Sequence, residues 1–85
     1  MVLMDKPTGR QLAAARTLLG LAQADVAARS NISVPTLKRM EASEGAVSGM
    51  RNNVDAVVRA LEAAGAIFVA GNGEGPGVRL RKDRG

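Results

Sequence analysis

The 85-residue sequence contains no cysteine, histidine, tryptophan or tyrosine, and a single phenylalanine. Without cysteine there is no disulfide framework, no zinc–thiolate site and no thiol nucleophile. Without histidine the commonest general base and metal ligand is missing, so hydrolytic triads and zincin-type sites are excluded. Asp25, Glu41, Asp55 and Glu62 show no clustered spacing that would let carboxylates act alone. No enzyme activity, metal or cofactor is therefore expected. The lack of aromatics removes the stacking platforms used by single-strand binders. No run approaches the ~18 consecutive apolar residues of a membrane span, and the first residues lack a signal-like apolar core. A cytoplasmic location and no membrane partner are expected.

What is present is basic and rich in alanine. Twelve Lys and Arg face eight Asp and Glu, a formal charge of +4, and 46% of the residues are hydrophobic. A basic surface on a small globular chain points to a polyanionic partner. Fifteen alanines lie between residues 13 and 70, the mark of helix. Five of the ten glycines lie from Gly71 onward, with four basic residues within 79–84. The expected organisation is a helical domain over 1–65, a hairpin over 66–82 belonging to the same domain, and a tail over 83–85.

Thr8-Gly9-Arg10-Gln11 has the spacing of a capping box, so a first helix should start near Thr8 and end before Gly20. A short second helix runs from about Ala22 to Ser30. Asn31 follows, a residue that tolerates the left-handed conformation of a tight turn. Ser33 caps a third helix, with Pro35 in its first turn where a missing donor costs nothing. That helix should reach about Ala42. Residues 43–53 read as a loop with at most one helical turn. Asn53 would cap a fourth helix over 54–64, with Val54, Val57, Val58 and Leu61 as its apolar stripe and Gly65 at its end.

After Gly65 the period changes. Ile67-Phe68-Val69 is β-branched and aromatic, Val78-Arg79-Leu80-Arg81 alternates, and residues 70–77 have turn chemistry throughout. Gly71, Gly73 and Gly75 alternate, but Pro76 stands where a phosphate-binding fingerprint needs glycine, so the segment is a turn. An isolated hairpin is marginal in water, and Ile67, Phe68 and Val69 are apolar on both faces. Packing on the chain's own helices or pairing with a second copy would cover them. Ile67, Phe68, Val69, Val78 and Leu80 are accordingly the expected dimerisation residues. Arg79, Arg81, Lys82 and Arg84 could then add contacts to the polyanionic partner.

The line from Leu21 to Glu41 resembles the helix-turn-helix of the phage-repressor-like (XRE) family of transcriptional regulators, a likeness that extends over residues 8 to about 64. Its most specific parts are Gln23, Ala27, Ile32, Leu37 and Glu41. The resemblance implies a mainly α, four-helix lambda-repressor-like domain, here followed by a C-terminal β-hairpin in place of the family's fifth helix. Ala27 must be small so that the third helix can cross close over it. Ile32 and Leu37 plug the angle between the helices, with Val26 and Met40 beneath. That leaves Ser33, Val34, Pro35, Lys38 and Arg39 on the outer side of helix 33–42, whose N-terminal part enters the major groove in this motif. Arg39 can bind guanine O6 and N7 together, Val34 and Pro35 can offer only apolar contact, and Thr36 can reach a phosphate. By resemblance Gln23, Arg51, Asn52 and Asn53 hold phosphates, and Arg16 pairs with Glu41 as a structural strut. Asn31 stands where the family usually has glycine, and the 42–52 loop is a few residues longer.

The expectation is a sequence-specific double-stranded-DNA-binding transcriptional regulator that binds a near-palindromic operator as a homodimer, with no small-molecule effector. The alternative is an antitoxin or interaction subunit whose hairpin docks a different protein.

Overall fold

In the computed structural model, which describes residues 7–71 and 73–82, four helices precede an antiparallel hairpin. The elements are α1 (Gly9–Leu18), α2 (Gln23–Ser30), α3 (Val34–Glu41), α4 (Arg51–Ala64), β1 (Ala66–Val69) and β2 (Gly77–Leu80). Asn72 and the tail over 83–85, with Arg84, lie outside the described residues, as do residues 1–6.

Local chemistry sets most boundaries. At the start of α1 the Gln11 amide N–H donates to Thr8 Oγ1 at 3.0 Å, and the Thr8 N–H donates to Gln11 Oε1 at 2.8 Å. The helix ends in a Schellman turn. Gly20, at φ 73°, donates to Thr17 O, and Leu21 donates to Arg16 O. The end of α2 repeats this geometry with Asn31 at φ 58°, while Ile32 donates back to Ala27 O at 3.0 Å. Asparagine tolerates the left-handed region better than most residues, so the position usually held by glycine keeps its turn. Ser33 caps α3, its Oγ accepting from the Thr36 N–H at 3.2 Å.

One boundary differs from the sequence-based expectation, the start of α4. The stretch before it is pinned to the start of α1. The Val47 N–H donates to Pro7 O at 2.9 Å, the Gly9 N–H donates to Gly45 O, and Val47 is buried. With Val47 fixed in the core, Gly49 takes the bend at φ 126° and the chain turns helical from Arg51. Asn53 is therefore inside the first turn and does not cap α4. The N-cap is Met50, which has no side-chain cap bond.

The core draws on every element but β2. Leu12 and Ala15 come from α1, Val26 and Ala27 from α2, and Leu37 and Met40 from α3. Val54, Val57 and Leu61 of α4, Val47 of the loop, and Ala66 and Phe68 of β1 complete it. The hairpin lies against α1 and α4. Its register pairs Ala66 with Leu80 and Phe68 with Val78, and sets Ile67 opposite Arg79 and Val69 opposite Gly77. Cross-strand partners share a face. The Ala66–Phe68 face is covered by the chain's own helices, while Ile67 and Val69 each remain 37% exposed.

That division corrects one expectation. Phe68 is not an open dimerisation residue but part of the core, and Val78 packs against that core from the opposite strand. The period-two alternation turns Phe68 inward as it turns Ile67 and Val69 outward.

Gln11 adds a connection with no local signal in the sequence. Its side chain is buried, and its Nε2 donates to Gly77 O at 3.0 Å and Val69 O at 3.3 Å. One amide thus caps α1 and ties both strands of the hairpin to it.

Candidate nucleic-acid interface

The α2–α3 pair is fixed from below. Ala27 is buried at mid-α2, Leu37 is fully buried, and Ile32 and Val34 pack partly buried against the core. α1 closes over the C-terminal end of α3 so tightly that a Cβ on Gly9 would overlap the backbone oxygens of Met40 and Ser43.

A polar cluster locks the same corner. Arg16 Nε donates to Glu41 Oε2 at 2.8 Å, and its Nη2 donates to Glu41 Oε1 at 3.0 Å. Arg16 Nη1 also donates to Leu21 O at 3.1 Å. The two side chains are 19% and 8% exposed. The hydrogen bond to Glu41 raises the Arg16 pKa above its ordinary value, against the opposing effect of burial. A forked pair of this kind carries geometric specificity as well as attraction. Gln23, at the first position of α2, joins it by donating Nε2 to Glu41 Oε1 at 3.1 Å. Helices α1, α2 and α3 therefore meet on one carboxylate. Gln23 keeps one amide proton and its oxygen clear of that bond.

On the outer side of α3 stand Ser33, Pro35, Lys38 and Arg39, all exposed, with Thr36 half-buried among them. Val34 departs from the expected outer face. It lies three residues before Leu37, on the same inward stripe, and packs against the core. The outer side chains are connected. Ser33 Oγ donates to Thr36 Oγ1 at 2.8 Å, and Arg39 Nη2 donates to the same oxygen at 3.3 Å.

The start of α4 supplies the remaining sequence-based candidates. Arg51 and Asn52 are exposed, and Asn53 is half-buried. Arg51 lies 3.9 Å from Asp55 one turn on, a solvated pair of little energetic weight. Because Met50 provides no side-chain cap, the first amides of α4 have no side-chain acceptor at the cap position. Arg79 and Arg81 are exposed on the hairpin, which packs on α1 and α4.

Among the described residues no group of three or more His, Cys, Asp or Glu could hold a metal ion. Among those residues no helix is long and apolar enough to cross a membrane.

Two short helices joined by a left-handed turn, the second braced from beneath and basic on top, define a helix-turn-helix DNA-binding domain. A family model described as helix-turn-helix matches residues 12–51, from α1 to the first residue of α4. Over those residues the chain is similar to the DNA-binding helix-turn-helix of the XRE, lambda-repressor-like type, and a two-stranded hairpin follows its fourth helix. No curated protein matches the chain.

Proposed function

We propose that this protein is a sequence-specific transcriptional regulator that binds duplex DNA without catalysing a reaction, and that it acts in the cytoplasm at the nucleoid. α3 enters the major groove, with Ser33, Pro35, Thr36, Lys38 and Arg39 toward the bases. Gln23, Arg51, Asn52 and Asn53 grip phosphates and fix the register. The observation that carries this reading is the mutually bonded row Ser33–Thr36–Arg39 on the outer side of a helix whose other side packs on the core. Residues 66–82 serve as an element of the same domain rather than as a separate unit.

One module of this size makes few base contacts, so two copies on a near-palindromic operator supply the specificity. Half-sites then lie roughly 34 Å apart or a multiple of that. The hairpin is the element open to a second copy. Its exposed Ile67 and Val69 also support a second reading, in which the hairpin docks a different protein, as in an antitoxin or a subunit of a larger complex.

The test is binding to genomic fragments at fixed salt. Arg39→Ala should lose about 1–3 kcal/mol at the preferred site and keep weak non-specific binding. Gln23→Ala should weaken both alike. Unchanged site selection by Arg39→Ala would remove α3 from the role of reader. Light scattering at tens of micromolar decides the dimer, and a stoichiometric protein partner in a pull-down favours the second reading.

A further inference from the structure

The side chains on the outer face of α3 have an unequal supply of donors and acceptors. Thr36 Oγ1 accepts from both Ser33 Oγ and Arg39 Nη2, so its two lone pairs are engaged and its proton remains to be donated. Ser33 has given its proton to Thr36 and accepts from the Thr36 N–H, which leaves it one lone pair. Lys38 is a pure donor. Arg39 has five N–H groups and uses one on Thr36, leaving four. Pro35 offers only an apolar ring. No carboxylate or amide side chain occurs between residues 33 and 39.

We propose that this face, on which Thr36, Lys38 and Arg39 offer only donors, selects the acceptor edge of a guanine, read by Arg39, with a thymine beside it, and that Thr36 is the positioning residue that presets the Arg39 guanidinium. The proposal rests on α3 being the helix that reads DNA. In the major groove guanine shows two acceptors, N7 and O6, and thymine shows an acceptor and a methyl group. Adenine and cytosine each present an amino donor there, which would stay unpaired against the donors of Thr36, Lys38 and Arg39. Recognition of adenine by a forked pair needs an amide side chain, which this face lacks. The methyl group of thymine fits the Pro35 ring, and its O4 fits the free proton of Thr36.

The bond from Thr36 matters because a long exposed arginine otherwise samples many rotamers. Fixing one Nη on Thr36 leaves four N–H groups for a base, and less rotamer freedom is lost on binding. A valine at position 36 keeps the shape and removes the acceptor, whereas a serine keeps the oxygen.

The experiment uses the full chain and a pool of random duplexes at fixed salt. From the selected half-site, each guanine is then replaced in turn by 7-deazaguanine or by inosine. Inosine keeps N7 and O6 and differs only in the minor groove, while 7-deazaguanine loses the N7 acceptor. The expected result is one guanine at which 7-deazaguanine weakens binding about tenfold or more and inosine does not. Arg39→Ala should erase that difference. Thr36→Val should reduce it with the helical circular dichroism unchanged, and Thr36→Ser should restore it.

A selected site with no guanine sensitive to 7-deazaguanine overturns the proposal while leaving α3 as a reader. Full guanine discrimination by Thr36→Val overturns the positioning role. A pool in which no sequence is enriched overturns the DNA-reading assignment, and this inference with it.

Discussion

Alanine at position 9 probes the close approach of the start of α1 to the end of α3. A Cβ there would lie 2.5 Å from Ser43 O, 2.9 Å from Glu41 O, and against Met40 O. These are backbone oxygens and cannot swing aside. Met40 O already accepts from Ser43 N, and the Gly9 N–H is bonded to Gly45 O. To restore ordinary contact the start of α1 must withdraw by about 1 Å, which strains the Gly9–Gly45 and Val47–Pro7 bonds together. Overpacking of this kind costs about 1–3 kcal/mol, and each weakened hydrogen bond adds about 0.5–1.5 kcal/mol. The opposing gain, from replacing glycine in a helix, is at most about 1 kcal/mol. The steric cost wins, with a net loss of about 2–4 kcal/mol.

For a chain of this length the whole stability is roughly 4–13 kcal/mol, so Gly9→Ala removes a large share of it. The melting temperature should fall by about 10–30 °C. Thermal and urea unfolding followed by circular dichroism measure this directly. Gly45→Ala is the control, since a Cβ there meets nothing within 4 Å, and it should stay within about 1 kcal/mol of the parent. A Gly9→Ala protein as stable as the parent would refute the packing of α1 against the end of α3.

The other tests address the buried polar groups and the left-handed turn. Gln11→Leu keeps the volume but leaves Val69 O and Gly77 O without their shared donor and removes the acceptor of the Thr8 N–H; it should cost about 2–3 kcal/mol and speed amide exchange in the hairpin and at the start of α1 before the rest of the helices. Glu41→Ala strips the carboxylate from Arg16 and Gln23 and should cost about 2–3 kcal/mol in urea unfolding, below the range for a fully buried pair because Arg16 retains some exposure. The double variant Arg16→Leu/Glu41→Leu should recover part of that loss. Asn31→Gly should be neutral or slightly stabilising, whereas Asn31→Val should lower the urea midpoint by the equivalent of about 1–2 kcal/mol, because a β-branched residue resists φ 58°.

The parts of the fold legible in the sequence were those fixed by short-range chemistry. The Thr8–Gln11 capping box, the glycine after α1, the Ser33 cap with Pro35 behind it, and the switch to strand after Gly65 all follow from neighbours a few residues apart. What stayed hidden depends on distant partners. Nothing near Asn53 reveals that Val47 is anchored to Pro7, some forty residues earlier, and it is this anchor that lets α4 start at Arg51. Val34 read as an outer residue because a short helix with few apolar positions leaves its inward stripe ambiguous by one residue. Gln11 was legible as a cap and illegible as the hairpin's clasp, since its second set of partners lies 58 and 66 residues away. At the candidate site, residue types suggested donors, but the sharing of Thr36 Oγ1 between Ser33 and Arg39 needed side-chain positions.

The hairpin's attachment also constrains how it can meet another molecule. Phe68 and Val78 are spent on the chain's own core, and Gln11 holds the strands where they open toward the turn. What faces outward is Ile67 and Val69, with Arg79 opposite Ile67. Arg81, whose N–H donates to Gly65 O at 2.8 Å, continues the ladder on that same outward side. Two copies stacked face to face in register would bring these guanidinium groups against their counterparts, which is unfavourable without an acidic group between them. Pairing of two hairpins along a strand edge avoids this, since neighbouring strands would continue one sheet and keep the arginines spread across its open face. An acidic partner, by contrast, gains from the face itself, seating apolar groups on Ile67 and Val69 and carboxylates on Arg79 and Arg81. The homodimer and the partner-protein reading therefore call for different surfaces of the same hairpin. Replacing Arg79 and Arg81 separates them, because it weakens only the second.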